Sequence, residues 1–323
     1  MKSQNNLPNV GVNLTGLERY WLKESIFNYK DVLVKIDELY NLGFRDIRLP
    51  VSFAYHFKNS SKNKFLRHLT KIIKHIKKKK MTIIICYFDD TLKKETNYTN
   101  LNTIKNNWKF ISKKLKKYSK VVSYEILNEP NLYPKEWDEM VNELVLQIRK
   151  KDKKTKILIG ATNFNSIYEL SRKKIFSFKN IIYTFHFYEP FIFTHQGASW
   201  VGNQNKTINL PYPYNSYEMP EMNEIVKGTS GEINYKDYKI MANKTSLSHK
   251  IELIKNWSKK NNVRLWCTEF GVIKSIPLKY RCQYFKDLTD VLQTNNIKSY
   301  VWEYSGNFGF KENKEVLNCI NLF

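Results

Sequence analysis

The chain contains 323 residues, of which 42% are hydrophobic and 15% aromatic, and its formal net charge at pH 7 is +24. This composition supplies apolar surface for one large core, and no stretch reaches the roughly 18 uncharged apolar residues that a membrane-spanning helix requires. The sequence therefore excludes a membrane-spanning protein and predicts a soluble globular protein in which residues 1–323 form a single domain.

In chain order, the sequence alternates between two kinds of segment. Apolar runs rich in Val, Ile, Tyr and Phe are typical of strands buried on both faces. They cover residues 9–14, 44–51, 81–88, 121–127, 156–162, 181–188, 263–268 and 298–304. Helical patterns lie at 31–42, 64–79, 101–118, 135–151, 166–174, 247–260, 280–294 and 315–321. Because parallel strands need helical crossovers, eight such units predict an α/β fold, a (β/α)8 TIM barrel.

The connection after the sixth predicted strand breaks this rhythm. About sixty residues separate Tyr188 from the next predicted helix. A loop that leaves the C-terminal end of a barrel strand lies over the mouth where such barrels keep their chemistry. Its rings are Phe191, Phe193, His195, Trp200, Tyr212 and Tyr214. This aromatic content favours a substrate-covering loop, and a disordered insert is the alternative.

The positive charge is concentrated in lysine runs at residues 77–80, 113–117 and 150–154, at the ends and outer faces of predicted helices. Lysine near a helix C-terminus complements the helix dipole. The pattern favours a solvated outer surface, and attraction to an anionic surface or polymer is the alternative. No recognisable nucleic-acid-binding module accompanies the charge, so we expect no nucleic acid partner.

The termini and the cysteines bear on the compartment. The first eight residues contain no apolar segment of a secretory signal, so we expect a cytoplasmic protein, or a secreted one whose signal was removed. The four cysteines lack metal-ligand spacing, and two of them lie within predicted strands. We therefore expect Cys86, Cys267, Cys282 and Cys319 to be free thiols.

Two short acidic motifs stand 140 residues apart. Glu129 in Asn-Glu-Pro and Glu269 in Thr-Glu-Phe-Gly each follow an apolar, strand-like run. A buried strand end has no structural use for a carboxylate, because an ionised desolvated carboxylate is costly unless a partner offsets it. The strand count places the two residues on the fourth and seventh strands. The pair therefore predicts a two-carboxylate mechanism, with a structural ion pair as the alternative for each residue.

These motifs have companions in the sequence. Ile-Leu-Asn-Glu-Pro at 126–130, Thr-Phe-His-Phe-Tyr at 184–188, Trp-Cys-Thr-Glu-Phe-Gly at 266–271 and Val-Trp-Glu at 301–303 together resemble glycoside hydrolase family 5, the cellulase-like retaining hydrolases. The resemblance covers nearly the whole chain. It implies that Glu129 is the acid/base, that Glu269 is the nucleophile, and that Asn128 donates a hydrogen bond to the 2-hydroxyl of the reacting sugar.

The resemblance also implies roles for four further residues. His186 and Tyr188 match a pair near the two carboxylates, and Arg48 matches the arginine that keeps the nucleophile ionised. Trp302 matches the aromatic platform under the bound sugar. Structural alternatives are that Arg48 pairs with Asp46 or another acid, that His186 is a core histidine, and that Trp302 fills the barrel.

The sequence departs from the family at the end of the third strand, where family members generally carry a histidine. This chain has Cys86, Tyr87, Phe88 and Asp89 there. Either Tyr87 or Asp89 takes over the contact, or the subsite is altered. In the long loop, His195 and Trp200 are candidates for shaping a subsite, and a loop packed on itself is the alternative.

These observations predict a retaining β-glycoside hydrolase, an endo-β-1,4-glucanase of polysaccharide catabolism whose two carboxyl groups lie about 5 Å apart. The alternatives are a β-mannanase or β-1,3-glucanase of the same family, a catalytically silent carbohydrate-binding barrel, and a basic protein that binds an anionic polymer. We expect a polysaccharide or oligosaccharide substrate and a monomer. No cofactor or metal is implied, since no His/Asp/Glu cluster has ligand spacing in the sequence.

Overall fold

The computed structural model describes residues 10–19, 28–89, 92 and 98–320. Eight parallel strands close into a barrel in chain order, each paired with its sequence neighbours and β1 with β8. The strands are β1 Val10–Asn13, β2 Asp46–Val51, β3 Thr82–Tyr87, β4 Val122–Glu125, β5 Lys156–Gly160, β6 Ile181–Phe187, β7 Leu265–Phe270 and β8 Lys298–Val301. All eight predicted strands and the predicted (β/α)8 fold are confirmed; the predicted start of the first strand, at residue 9, lies outside the described residues.

Helices surround the barrel and connect its strands. They are α1 Tyr29–Asn41, α2 Phe53–Asn59, α3 Lys62–Lys78, α4 Tyr98–Leu115, α5 Pro134–Arg149, α6 Thr162–Asn165, α7 Ile167–Arg172, α8 Phe191–Thr194, α9 Ser230–Lys236, α10 Tyr238–Met241, α11 Lys244–Lys260 and α12 Leu278–Thr294. Within the described part of the chain, four short 3-10 helices are Lys116–Tyr118, Asn203–Asn205, Glu224–Val226 and Lys314–Cys319. Pro134 opens α5, a position where its missing N–H costs nothing, and Gly43, at a φ of 101°, turns the chain from α1 into β2.

Two expectations about helices need correction. The connection after β6 is not one long irregular loop, because α8, α9 and α10 lie within it. These segments are only four to seven residues long, so their helical period was too short to recognise in the sequence. The last predicted helix is a 3-10 helix as far as Cys319, and residue 321 lies outside the described residues.

The barrel interior has an apolar floor and a polar upper layer. Ile84, Leu158, Ile182 and Tyr300 form a small buried cluster inside the strands. Gly11 makes room for the Tyr300 ring, because a Cβ at residue 11 would lie 2.4 Å from a ring carbon. The larger core lies between the strands and the helices. The floor closes the amino-terminal end of the barrel, so chemistry is confined to the carboxyl end.

The cysteine prediction is wrong for two of the four residues. Cys282 on α12 and Cys319 in the last 3-10 helix form a disulfide, with their Cα atoms 5.0 Å apart. They are 37 residues apart in sequence, and only the packing of the C-terminal segment against α12 brings them together. Cys86 and Cys267 are buried free thiols, as predicted.

The surface agrees with the expected distribution of charge. Lys77 and Lys78 lie in the last turn of α3, Lys113 and Lys114 lie in the last turn of α4, and all four are exposed. Among the described residues, none of the helices combines the length and the hydropathy needed to cross a bilayer. The N-terminal segment on which the signal-peptide expectation rests is outside the described residues.

Candidate active site

A cleft of about 640 Å³ opens at the carboxyl end of the barrel and contains both acidic residues of the sequence motifs. Glu129 lies just after β4 and Glu269 lies in β7. The other lining residues are Glu18, Arg19, Phe88, Asn128, Tyr188, His195, Trp200, Trp302, Glu303, Gly306, Asn307 and Phe308. The fold thus brings residues that are distant in sequence to one end of the barrel, where barrel enzymes carry their active sites.

A β-bulge aims Glu269 into the barrel mouth. The register between β6 and β7 shifts between Phe185 and His186, so that His186 pairs with Glu269. Thr268 already faces the interior, where its hydroxyl is 2.5 Å from that of Thr184. Side chains in a regular strand alternate, so Glu269 would otherwise point outward. The bulge allows two successive side chains to face the site.

Arg48 is the hub of the polar layer and is completely buried. Its guanidinium donates to Glu269 Oε1 at 2.6 Å and to both carboxylate oxygens of Glu125, at 2.6 and 2.9 Å. It also donates to the amide oxygens of Asn13 at 2.8 Å and Asn128 at 2.7 Å. A planar guanidinium with several fixed donors suits such a multivalent site. Arg48 therefore locks the position of Glu269.

The alternative partner considered for Arg48 is engaged elsewhere. Asp46, two residues earlier on β2, accepts from Lys298 Nζ at 2.5 Å and from the Thr82 hydroxyl. The partner that the sequence interpretation missed is Glu125. Its signal was a single acidic residue inside the apolar run of β4, where a buried carboxylate requires a cation.

Glu269 has two further neighbours from the end of β6. The Tyr188 hydroxyl donates to Oε2 at 2.9 Å, and His186 Nδ1 lies 3.4 Å from the same oxygen. Desolvation raises the pKa of Glu269 above its ordinary value, while His186, Arg48 and the Tyr188 hydrogen bond act in the opposite direction. The anion of Glu269 is therefore held by one full cation and by a directed hydroxyl.

Glu129 has a different environment. His186 Nδ1 lies 2.7 Å from Glu129 Oε1, and the side chain of Glu129 keeps 30% exposure to the cleft. Desolvation raises its pKa to about 7, with Arg48 opposing the shift and Glu125 adding to it. Desolvation also lowers the pKa of His186 to about 4, so the imidazole is neutral at pH 7. Glu129 is thus a carboxyl group that binds a proton near neutral pH.

The backbone at Glu129 is strained. Its φ of 43° lies in the left-handed region, which residues with a Cβ rarely adopt. Such conformations persist where the surrounding structure imposes them, and they cluster at functional sites. The strain directs the side chain towards His186 and the cleft.

Folding brings together ligand atoms that the sequence keeps apart. One atom each of Glu129, His186 and Glu269 lie within 4.8 Å of one another, a set that could hold a metal ion. These groups already contact one another, and the Arg48 guanidinium 2.6 Å from Glu269 opposes a second cation. The geometry is better explained by proton chemistry, and the absence of a metal or cofactor stays a prediction.

The remaining predicted residues also reach the cleft. Trp302 follows β8 and lines the cleft together with Glu269, and Trp200 also lines it, with 54% of its surface exposed. His195 is 8% exposed, and its ring stacks on Phe191 at a centroid distance of 4.1 Å. It also meets the Tyr188 ring edge-on at 5.0 Å. His195 therefore joins the loop to the tyrosine that contacts Glu269, and the loop packs on itself as well as on the site.

The third strand does not place Tyr87 in the cleft. Tyr87 is buried towards the helices, where its hydroxyl accepts from Asn107 at 2.9 Å and its ring lies 5.9 Å from Trp108. Cys86 faces the barrel interior, 3.2 Å from an Arg48 nitrogen. The cleft wall after β3 is formed by Phe88 rather than by Asp89. Tyr87 therefore does not take over the contact, and both remaining alternatives, Asp89 or an altered subsite, stay predictions.

Several site residues were missed by the sequence interpretation. Asn13 at the end of β1 accepts from Arg48 and donates to the backbone oxygens of Thr268 and Val301. A charged wall beside Trp302 contains Arg19, which donates to Glu303 at 2.7 Å and to Glu18 at 3.1 Å. Asn13, Glu18 and Arg19 lie outside the recognised motifs, whereas Glu303 ends the Val-Trp-Glu motif but was given no role. For Asn13, the one available signal was a polar residue at a strand end.

The comparison with a family model decides the assignment. The model described as cellulase (glycosyl hydrolase family 5) matches residues 5–308. The chain belongs to glycosyl hydrolase family 5. It is therefore a glycoside hydrolase, and the resemblance seen in the sequence motifs is confirmed.

Individual relatives agree with the family assignment. Endoglucanase 3 of Fibrobacter succinogenes is 28% identical over 97% of this chain and 52% of its own length. Endoglucanase C of Acetivibrio thermocellus is 26% identical over 91% of this chain and 90% of its own length. This family 5 chain thus spans about half of the first relative and most of the second.

Solved structures share the fold. Cel5A of Thermotoga maritima in complex with cellobiose has a TM-score of 0.79 and 23% identity, with 98% of each chain covered. The cellulose synthase subunit Z of Clostridioides difficile has a TM-score of 0.73 and 23% identity, with 97% of this chain and 99% of that chain covered. At these identities the likeness establishes the barrel.

Proposed function

We propose that this glycoside hydrolase is a retaining endo-β-1,4-glucanase, that residues 1–323 form its single catalytic domain, and that it acts as a monomer. The names of its curated relatives support the choice of a β-glucan as substrate. The reaction in this proposal is a double displacement in which Glu129 is the acid/base and Glu269 the nucleophile.

The spacing of the two carboxylates carries the proposal. One oxygen of Glu129 lies within 4.8 Å of one oxygen of Glu269. Retaining enzymes hold their two carboxyl groups about 5–5.5 Å apart, whereas inverting enzymes leave about 6.5–9.5 Å for a water molecule. The narrow spacing supports direct attack by one carboxylate on the sugar.

In the first step, the Glu269 carboxylate attacks the anomeric carbon and forms a C–O bond to it. The bond to the leaving sugar breaks, and Glu129 transfers its proton to the departing oxygen. A pKa of about 7 suits Glu129 to this task, since the group holds a proton at neutral pH and releases it readily. The products are a glycosyl-enzyme and a shortened chain.

In the second step, the Glu129 carboxylate takes a proton from water, and the water oxygen bonds to the anomeric carbon. The bond to Glu269 breaks, and its carboxylate is restored. Arg48 and Tyr188 stabilise that carboxylate as its charge returns, through bonds of 2.6 and 2.9 Å. The acid has returned to its first protonation state, and the configuration at the anomeric carbon is retained.

Asn128 and Trp302 are the proposed contacts to the reacting sugar. The amide oxygen of Asn128 accepts from Arg48 at 2.7 Å, so its NH₂ group is turned towards Glu129 and the cleft. This orientation suits donation to a sugar hydroxyl. Trp302 offers an indole ring on the nucleophile side, where C–H faces of a sugar can stack.

A second hollow supports endo action. It has a volume of about 670 Å³ and shares Glu129, Tyr188, His195 and Trp200 with the cleft, but it does not reach Glu269 or Trp302. A hollow that contains the acid without the nucleophile lies on the leaving-group side. Room on both sides of the catalytic pair suits a chain that continues in both directions.

The test is hydrolysis of a panel of β-1,4-glucan, β-1,3-glucan, mannan and xylan, with the anomer of the first product followed by proton NMR. We expect β-1,4-glucan to be cleaved fastest and the β-anomer to form first. Faster cleavage of mannan or β-1,3-glucan would show that this polymer, and not β-1,4-glucan, is the substrate. Formation of the α-anomer first would overturn the retaining mechanism. Binding without turnover would indicate a silent barrel, and salt-sensitive binding to an anionic polymer would indicate a basic binding protein.

A further inference from the structure

The short segment α6, Thr162–Asn165, follows β5 and is a left-handed turn rather than a regular α-helix. Asn163, Phe164 and Asn165 have φ values of 55°, 59° and 56°, all in the left-handed region. Asparagine enters this region more readily than other residues with a Cβ, but phenylalanine does not. Three successive residues of this kind require a reason in the surrounding structure.

That reason is the position of the Asn165 side chain. Asn165 is completely buried, and its Nδ2 lies 3.1 Å from His186 Nε2. Gly160 at the end of β5 makes room for it, because a Cβ at residue 160 would lie 1.9 Å from Asn165 Oδ1. The left-handed turn and the glycine together place an amide against the side of His186 that faces away from the carboxylates.

The hydrogen-bond partners of the Asn165 amide decide which of the two residues donates in the contact with His186. Asn165 Oδ1 is buried and has no hydrogen-bond partner among the described residues. If the amide were rotated by 180°, the buried NH₂ group would take that unpartnered position. A buried carbonyl oxygen without a partner is tolerated better than buried N–H donors without acceptors. Asn165 therefore donates to His186 Nε2, and a neutral His186 carries its hydrogen on Nδ1.

This tautomer has a consequence for Glu129. The Nδ1–H of His186 donates to Glu129 Oε1 at 2.7 Å. An oxygen that accepts this bond is not the one that carries the acidic hydrogen of the carboxyl group. The proton of neutral Glu129 is then on Oε2, the oxygen that His186 leaves open to the leaving group.

We propose that Asn165 is a positioning residue, which holds His186 in the Nδ1–H tautomer and so keeps the acidic proton of Glu129 on Oε2. The inference rests on the proposed role of Glu129 as acid/base. Asn165 acts through His186 and does not itself touch the substrate.

The other groups that bear on Glu129 and His186 come from four elements. They are Arg48 on β2, Glu125 on β4 with Asn128 just after it, Tyr188 after β6 and Glu269 on β7. None of them contacts Asn165 through a described hydrogen bond, so substitutions at residue 165 leave this set in place. The alkaline limb of the pH profile is the fall in kcat at high pH. A shift of this limb in a variant at residue 165 then reports on the Asn165–His186 contact.

The direct test is nitrogen NMR of protein labelled at histidine, with His186 assigned by the loss of its signals in His186→Gln. We expect wild-type His186 to be neutral and protonated on Nδ1 at pH 7. In Asn165→Asp, an acceptor faces Nε2, so we expect a hydrogen on Nε2. Wild-type signals of an Nε2–H tautomer would overturn the proposal.

The functional test is the pH profile of kcat for two variants on a cellooligosaccharide. In Asn165→Ala, His186 can switch to the Nε2–H tautomer, and its Nδ1 then accepts a hydrogen bond from the protonated carboxyl group of Glu129. This bond stabilises the protonated form and raises the pKa of Glu129, so we expect the alkaline limb to move to higher pH. In Asn165→Asp, the new carboxylate favours an imidazolium that stabilises ionised Glu129, so the limb moves to lower pH. We expect kcat to fall by about 10–100-fold in both.

Asn163→Ala is the matched control, because Asn163 is a left-handed, exposed residue of the same turn with no described bond to His186. Because Asn163 also lines the second hollow, the control is the position of its alkaline limb rather than its kcat, and that limb should stay at the wild-type position. Equal shifts in all three variants, or shifts in the same direction for Asn165→Ala and Asn165→Asp, would overturn the proposal. Failure of the wild-type protein to cleave any β-glycan would instead defeat the proposed function, while the NMR result would stand by itself.

Discussion

The two halves of the catalytic cleft hold the same kind of side chain in different surroundings. On the β7 side, Glu269 contacts the guanidinium of Arg48 and the hydroxyl of Tyr188, and its side chain is 5% exposed. On the β4 side, Glu129 contacts the neutral imidazole of His186 and is 30% exposed. The first environment suits a permanent anion, and the second suits a group that gains and loses a proton.

In the proposed mechanism, the neighbouring residues set the roles of the two carboxyl groups. Desolvation raises the pKa of both carboxyl groups, but only Glu269 has a full cation in direct contact. Two carboxyl groups with environments of this kind are expected to divide into an acid and a nucleophile. The substitutions below test that division, from the largest expected effect to the smallest.

Glu269→Gln is expected to have the largest effect. The amide cannot form the glycosyl-enzyme, so we expect kcat to fall by at least about 10⁴-fold on both a cellooligosaccharide and an aryl β-cellobioside. Arg48 keeps its paired contact with Glu125, at 2.6 and 2.9 Å, so the fold should persist. Initial rates and a circular dichroism melting curve are the measurements. Retention of more than a tenth of the activity would remove Glu269 from the nucleophile role.

Glu129→Gln should reduce the rate much more on one kind of substrate than on another. Without the acid, we expect the rate on a cellooligosaccharide to fall by about 10²–10⁴-fold, because an alkoxide is a poor leaving group. Bond cleavage in an aryl glycoside with an acidic phenol needs no proton, so its first step should lose far less. The glycosyl-enzyme should then accumulate, and added azide should release it as a β-glycosyl azide. Equal losses on both substrates, with no effect of azide, would contradict the acid/base role.

The barrel was predictable from the sequence because its signals are local. The strands are short, mostly apolar runs in which Val, Ile, Tyr and Phe are frequent, and the longer crossover helices have their own apolar period. Glu129 and Glu269 could be placed because they end such runs. The helices α8, α9 and α10 lacked that signal, since four to seven residues cover at most two turns.

The parts of the site that were missed depend on tertiary contacts. Glu125 was hidden in an apolar run, and its significance follows only from Arg48 on another strand. The register shift that aims Glu269 is set by the pairing of β6 and β7. The Cys282–Cys319 disulfide likewise depends on how the C-terminal segment docks on α12. A single sequence records each residue but not which strand it will face.

The pH profile of the wild-type protein tests the two environments together. In the proposed mechanism, Glu129 acts in its protonated form and Glu269 in its ionised form. The pKa of Glu129 is about 7, so kcat/KM should fall as the pH rises through about 7. The pKa of Glu269 is raised above the ordinary value, so the rate should fall as the pH drops through that raised value. We expect a bell-shaped profile, measured on a soluble cellooligosaccharide. A rate that stays constant from about pH 6 to about pH 9 would contradict the assignment of Glu129.

Tyr188→Phe should alter the environment of Glu269 and leave that of Glu129 largely unchanged. The lost hydrogen bond is to a charged group, so we expect kcat/KM to fall by about tenfold or somewhat more. Because the Tyr188 hydroxyl lowers the pKa of Glu269, its removal should move the acid limb to higher pH. The alkaline limb, which belongs to Glu129, should move less. An equal displacement of both limbs would show that the two environments are not separate.

Glu125→Gln is expected to have the smallest effect on rate and to act on both sides of the cleft. The charge of Glu125 raises the pKa of Glu129, so its removal should move the alkaline limb to lower pH. Arg48 then has only the carboxylate of Glu269 to neutralise, which lowers the pKa of Glu269. The acid limb should therefore also move to lower pH. We expect the whole profile to shift by less than about one pH unit, since about 1.4 kcal/mol corresponds to one unit.

The same substitution should lower the stability of the barrel. A buried amide replaces a carboxylate that accepts two bonds from Arg48, so we expect a loss of about 1–3 kcal/mol in denaturant unfolding. Glu143→Gln is the control, because Glu143 pairs with Lys105 on the surface and should alter neither quantity measurably. If Glu125→Gln moved the two limbs in opposite directions, Arg48 would not couple the two carboxylates, and the two halves of the cleft would have to be treated as independent.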